Sequence, residues 1–168
     1  MNKSKEIAIS GISTALAVSF VMLACYIEPM TITFYVLSAI SMMLPLTKGS
    51  TRGAVLSCVA TIILTMSIAT IKALPFAIFF GPYTIIAVLT DKKFKWYLTL
   101  PIKIGWFNLV LYLLYLVTGV LIINFEELGF TLEYWAIALI GTALFVLYDL
   151  LMQQVYKALM IMVKKYIK

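Results

Sequence analysis

Six stretches of this 168-residue chain are apolar, almost uncharged and close to the thickness of a bilayer in helical length. That one feature limits the fold more than any other. A helix crossing the hydrocarbon layer needs about 20 apolar residues. The stretches run from about Glu6 to Ile27, Ile32 to Leu46, Gly53 to Ile71, Pro75 to Asp91, Leu98 to Ile123 and Glu133 to Val163. The second is short, and the sixth is longer than the bilayer requires, so it should tilt or protrude. A membrane β-barrel is excluded, because its strands alternate apolar and polar residues over about 10 positions. These runs are continuously apolar. With 64% hydrophobic and 12% charged residues, no separate soluble domain fits beside the membrane part. The expected fold is all-α: a single transmembrane domain over 1–168, an integral membrane bundle of six transmembrane helices. Its loops are short, so consecutive helices should be antiparallel neighbours.

Turn chemistry marks the ends of the runs. Glu28-Pro29 stops the first, and Pro45 followed by Thr-Lys-Gly-Ser closes the second. Pro75 suits the first turn of the fourth. Lys3 and Lys5 ahead of an apolar run could open a signal peptide, and Met22-Leu23-Ala24-Cys25 is an imperfect lipoprotein cleavage box. The length of the run favours a retained first helix instead.

Net charge is +6. The basic residues form short clusters between apolar runs, as membrane flanks do, so no nucleic-acid partner is expected. With a cytoplasmic N-terminus, 12 of the 13 basic residues fall on the cytoplasmic side and only Lys72 falls outside. Six crossings return the C-terminus to the cytoplasm, giving a multi-pass plasma-membrane protein. Glu28, Glu126, Glu127 and Glu133 would face outward. The chain has no histidine, no CxxC pair and no Walker-type loop, and Cys25 and Cys58 lie inside apolar runs. No metal, cofactor, ATP hydrolysis or other catalysis is therefore expected.

Polar groups inside lipid must find partners, whether a neighbouring helix or a ligand. In the first run Gly11 and Ala15 share one face, and Ser13 and Ala17 share another. Either face could pack internally or receive a partner helix. Lys72 is either a snorkelling lysine or a ligand contact. Gly81-Pro82 interrupts the fourth run, and Tyr83 follows the break; such a break is a packing kink or a site lining. In the fifth run Asn108 and Tyr112 lie four apart, with Trp106 just before them and Tyr115 a turn beyond. Asn108 sits about 15 Å along its helix. Asp149 in the sixth run could pair with Lys157 or with Lys103, a structural pairing, or serve as the acidic group of a proton relay, which one carboxylate without histidine supports only thinly.

The whole chain resembles the substrate-binding S component of an energy-coupling factor (ECF) transporter. The likeness rests on size, six helices with cytoplasmic ends, and three segments. These are the opening Lys-Glu-Ile-Ala-Ile-Ser-Gly-Ile-Ser-Thr-Ala-Leu-Ala, Phe79-Phe80-Gly81-Pro82-Tyr83, and Lys103 with Phe107-Asn108. The resemblance implies capture of a vitamin or related small-molecule micronutrient from outside. It also implies docking, through small residues of the first helix, onto a membrane scaffold subunit energised by two ATPase subunits. The docking residues would be Gly11 and Ala15, although the family pattern has alanines four apart. The implied substrate-binding residues are Glu28, Tyr35, Lys72, Tyr83, Trp106, Asn108, Tyr112 and Trp135. Signatures for thiamin, riboflavin, biotin or folate are absent, and the lack of histidine argues against nickel or cobalt. Two other classes fit less well. A self-associating channel or exporter subunit needs polar stripes through the full bilayer depth, and an intramembrane enzyme needs a nucleophile–base pair.

Overall fold

The computed structural model describes residues 3–94, 96–118, 124–125, 130–131 and 134–166. These are helical almost throughout. The helices are α1 (Lys3–Tyr26), α2 (Thr31–Thr47), α3 (Thr51–Ala69), α4 (Gly81–Lys93), α5 (Trp96–Thr118) and α6 (Tyr134–Tyr166). Two-residue strands β1 (Asn124–Phe125) and β2 (Phe130–Thr131) pair antiparallel between α5 and α6. Four described segments are long and apolar enough to cross a membrane: Ser4–Tyr26, Glu28–Thr47, Thr51–Ala69 and Ala138–Val163. A shorter apolar segment, Leu98–Leu113, lies in α5. The chain divides into two compact units, one of Met1–Lys93 with Met152–Lys168, the other of Phe94–Leu151.

In the first unit α1 packs along α2 and α3, and hydroxyl groups close the seams. Ser13 donates to the carbonyl of Ser41 at 2.8 Å, Ser38 to that of Ala17 at 3.1 Å, and Ser57 to that of Ser10 at 2.9 Å. Ser13, Ala17, Ser38 and Ser57 are all fully buried. Small side chains bring the backbones close enough for these bonds, the usual way helices associate without a hydrophobic drive between them. Among the described glycines Gly53 has the least room, since a Cβ there would overlap the Ser10 and Ser50 hydroxyls.

The Thr-Lys-Gly-Ser segment joins α2 to α3 by two overlapping caps. Gly49 adopts φ 78°, donates to Leu46, and lets Ser50 N–H reach Pro45 at 3.1 Å. This is the left-handed C-terminal cap that glycine alone takes without strain. Ser50 then caps α3, accepting from Gly53 N–H at 2.9 Å, while its hydroxyl donates to the Glu6 carboxylate. The carbonyl end of α2 gathers further donors: Lys92 Nζ at 3.3 Å and Tyr156 OH at 3.2 Å, both on Leu46. A cation there also complements the helix dipole.

The Gly81-Pro82 interruption takes a particular form. Residues Phe76–Phe80 form a π-helical stretch, and Gly81 N–H reaches back five residues to Phe76. Pro82 has no N–H to offer, and one widened turn absorbs that loss. Helical turns continue without a break from 74 to 93.

In the second unit α5 and the first part of α6 run as an antiparallel pair with a readable register. Lys103 meets Asp149, Phe107 stacks on Phe145 with ring centroids 4.7 Å apart, and Asn108 meets Thr142. Gly141 makes room for Phe107, whose ring edge would lie 3.3 Å from a Cβ at that position.

Candidate functional site

The residues suggested for substrate binding fall into two sets, one in each unit. In the first unit, Tyr35 OH donates to the carbonyl of Lys72, and Lys72 Nζ lies 3.6 Å from Glu28 Oε1. The two charged side chains are 63% and 83% exposed, so the ion pair contributes little stability by itself. Tyr35 is buried and packs on Phe76 and Phe80 at 6.5 and 5.4 Å. Tyr83 is fully buried and stacks on Phe79 at 5.4 Å. Glu28, Tyr35 and Lys72 thus meet directly, and aromatic contacts lead from them to Tyr83. Just ahead of this point Thr70 has φ 45°, an uncommon conformation for a β-branched residue.

In the second unit, Asn108 and Trp135 line one open groove of about 540 Å³ with Ala138, Leu139, Thr142, Ala143 and Val146. The α6 residues form one stripe at three- and four-residue spacing. Trp135 is 78% exposed. Asn108 Nδ2 donates to Ile104 O at 3.0 Å and to Thr142 Oγ1 at 3.4 Å, and Thr142 Oγ1 donates to Ala138 O at 2.7 Å. Asn108 therefore bridges two helices and also faces the groove. Thr142 was not among the sequence candidates. Its signal was available, since it is the sole Ser or Thr from 134 to 148. Tyr112 is 51% exposed and outside the groove lining. Trp106 is also outside it, and its Nε1 is buried with no hydrogen-bond partner among the described residues. Glu126, Glu127, Glu133 and the side chain of Tyr115 lie outside the described residues.

A turn and a half back along α5, Lys103 Nζ lies 2.8 and 3.2 Å from the two oxygens of Asp149. Their side chains are 1% and 6% exposed. Of the two partners open to Asp149 by spacing, the structure selects Lys103. Two opposite charges taken from water together leave the seam electrically neutral.

On α1 the two small-residue faces separate. Ser13 and Ala17 are consumed by the contacts with α2, whereas Gly11, Ala15 and Ser19 are exposed. A Cβ added at Gly11 would meet nothing within 4 Å.

No protein-family model matches this chain, and no curated protein and no solved structure matches it. The fold by itself defines a class, that of helical proteins with several helices long and apolar enough to cross a membrane.

Proposed function

We propose that this chain is the substrate-capture S component of an ECF-type importer. It would take a small micronutrient from outside and deliver it to a membrane scaffold and two ATPase subunits. In this reading the chain crosses the plasma membrane six times with both ends cytoplasmic. The helical run from 74 to 93 would be about 30 Å long and α5 about 35 Å at 1.5 Å per residue, enough for the two crossings beyond the four apolar ones. A reporter fused after Lys168 is expected to read cytoplasmic, and one inserted in the 124–129 segment external, from the distribution of basic residues.

The observation that carries the reading is the division of labour on α1. One small face is consumed internally and the other, Gly11 with Ala15, is left uncovered. Small residues facing lipid gain nothing there, whereas they allow a second helix to approach closely. The test is Gly11→Leu with Ala15→Leu, co-expressed with ECF scaffold and ATPase subunits. Loss of co-purification and uptake, with an unchanged melting temperature of the isolated chain, supports the docking role. Retained co-purification contradicts it.

The substrate would be held by groups of the sets described above. Asn108 and Trp135 in the groove are the best placed, because they share an open concave surface of mainly apolar lining with two polar groups.

A further inference from the structure

We infer that the α5–α6 groove selects an uncharged, flat molecule that donates a hydrogen bond to Oδ1 of Asn108. The inference rests on the reading of that groove as the capture site and adds the chemical class of its occupant.

Charge comes first. None of the described lining residues is ionisable; they are Asn108, Trp135, Ala138, Leu139, Thr142, Ala143 and Val146. The two charges buried in the same helix pair, Lys103 and Asp149, are bonded to each other at 2.8 and 3.2 Å and do not line the groove. A charged ligand would leave water with no counter-charge waiting for it, a heavy penalty in a low-dielectric setting. A neutral molecule escapes that penalty.

Hydrogen-bond polarity follows. A carbonyl oxygen accepts only, so the contact to Ile104 O identifies the Asn108 atom facing it as Nδ2. Nδ2 is engaged with Ile104 and Thr142, and the Thr142 hydroxyl proton is engaged with Ala138 O. The donors of Asn108 and Thr142 are therefore already in use. Oδ1 of Asn108 is left as the acceptor, and a ligand must bring the proton. Shape completes the argument. On α6 the lining is one stripe of small and large side chains, Ala138, Thr142 and Ala143 with Trp135, Leu139 and Val146. Trp135 is 78% exposed in that stripe, and a flat ring can lie against its indole, where aromatic contact adds to area burial.

Four near-isosteric probes test each element: benzamide, which is neutral with N–H donors; N,N-dimethylbenzamide, neutral without a donor; benzoate, an anion; and benzamidine, a cation. Binding to the purified full chain in detergent is read by ligand-observed NMR titration, for wild type and for Asn108→Ala and Asn108→Asp. Benzamide is expected to bind at least about tenfold more tightly than the other three, the ratio for one well-placed hydrogen bond. Asn108→Ala should erase that preference, and Asn108→Asp should shift it toward benzamidine. Tighter, Asn108-dependent binding of benzoate or benzamidine by wild type would overturn the neutral class while leaving the groove as the site. No binding by any probe, or binding indifferent to both substitutions, would overturn the groove assignment and the inference with it.

Discussion

The two units of this protein hold helices together by opposite means. The unit of α1–α4 with the end of α6 uses neutral hydroxyls bonded to backbone carbonyls, as at Ser13–Ser41, Ser38–Ala17 and Ser57–Ser10. The α5–α6 unit relies on a buried ion pair, an aromatic stack and one amide bridge. Hydroxyl-to-carbonyl seams need little space and let three helices lie close, with each bond replaceable at modest loss. An ion pair concentrates the same task in two residues. The lesson is that a seam of many weak bonds tolerates change, and a seam built on one charge pair does not. Of the contacts that hold the α5–α6 seam, only the Asn108–Thr142 bridge borders the groove; the ion pair and the aromatic stack are outside its lining.

Breaking each seam sharpens the contrast. Asp149→Ala strands the buried Lys103 ammonium and is expected to destabilise by about 3–5 kcal/mol, or to prevent folding in detergent. The double change Lys103→Met with Asp149→Leu should recover most of that loss, because both charges leave together. Equal damage from the single and the double change, in melting temperature, would show that the pair is not what holds the seam.

Gly53→Ala forces a methyl into the Ser10 and Ser50 hydroxyls. Overpacking of that kind costs about 1–3 kcal/mol, and a melting curve reads it. The same substitution at Gly11, inside α1 where a Cβ meets nothing, should not lower the melting temperature and should raise it slightly, since alanine is the better helix former. Ser13→Ala removes one buried bond and should cost about 1 kcal/mol, the smallest loss among the seam variants and the mark of a distributed seam.

Much of this architecture was readable in the chain. The lengths of the apolar runs placed α1, α2, α3 and α6 to within a few residues, because bilayer thickness leaves helix length little freedom. Thr-Lys-Gly-Ser announced its turn through Gly49, where the backbone needs a positive φ, and Ser50, a natural helix cap. Three features were beyond one-dimensional reading. Gly11/Ala15 and Ser13/Ala17 have the same spacing, and only packing against α2 decides which face is buried. Asp149 had two lysines within plausible reach, and the register of α5 against α6 selects Lys103. Gly81-Pro82 signalled a break, but the π-helical form it takes goes with the bond from Gly81 N–H to Phe76 and with Cys58 Sγ packed 3.1 Å from where a Cβ on Gly81 would lie, a contact from another helix. On the candidate site, Glu28 meets Lys72 and Asn108 shares a groove with Trp135; the resemblance had grouped these residues, but the sequence alone paired neither couple. The role of Thr142 was not legible either, since a lone threonine in an apolar helix has no partner until a second helix supplies one.

With partner docking proposed for α1 and ligand capture for the α5–α6 groove, the two activities should be separable. The most direct measurement crosses two variants with two assays: Gly11→Leu/Ala15→Leu and Asn108→Ala, each tested for substrate binding by the isolated chain and for co-purification with ECF scaffold and ATPase subunits. The expected result is that the α1 variant binds normally and fails to co-purify. Asn108→Ala should co-purify normally and bind about ten- to a hundredfold more weakly, as for loss of one buried hydrogen bond. Loss of both activities in both variants, with melting temperatures unchanged, would contradict the division.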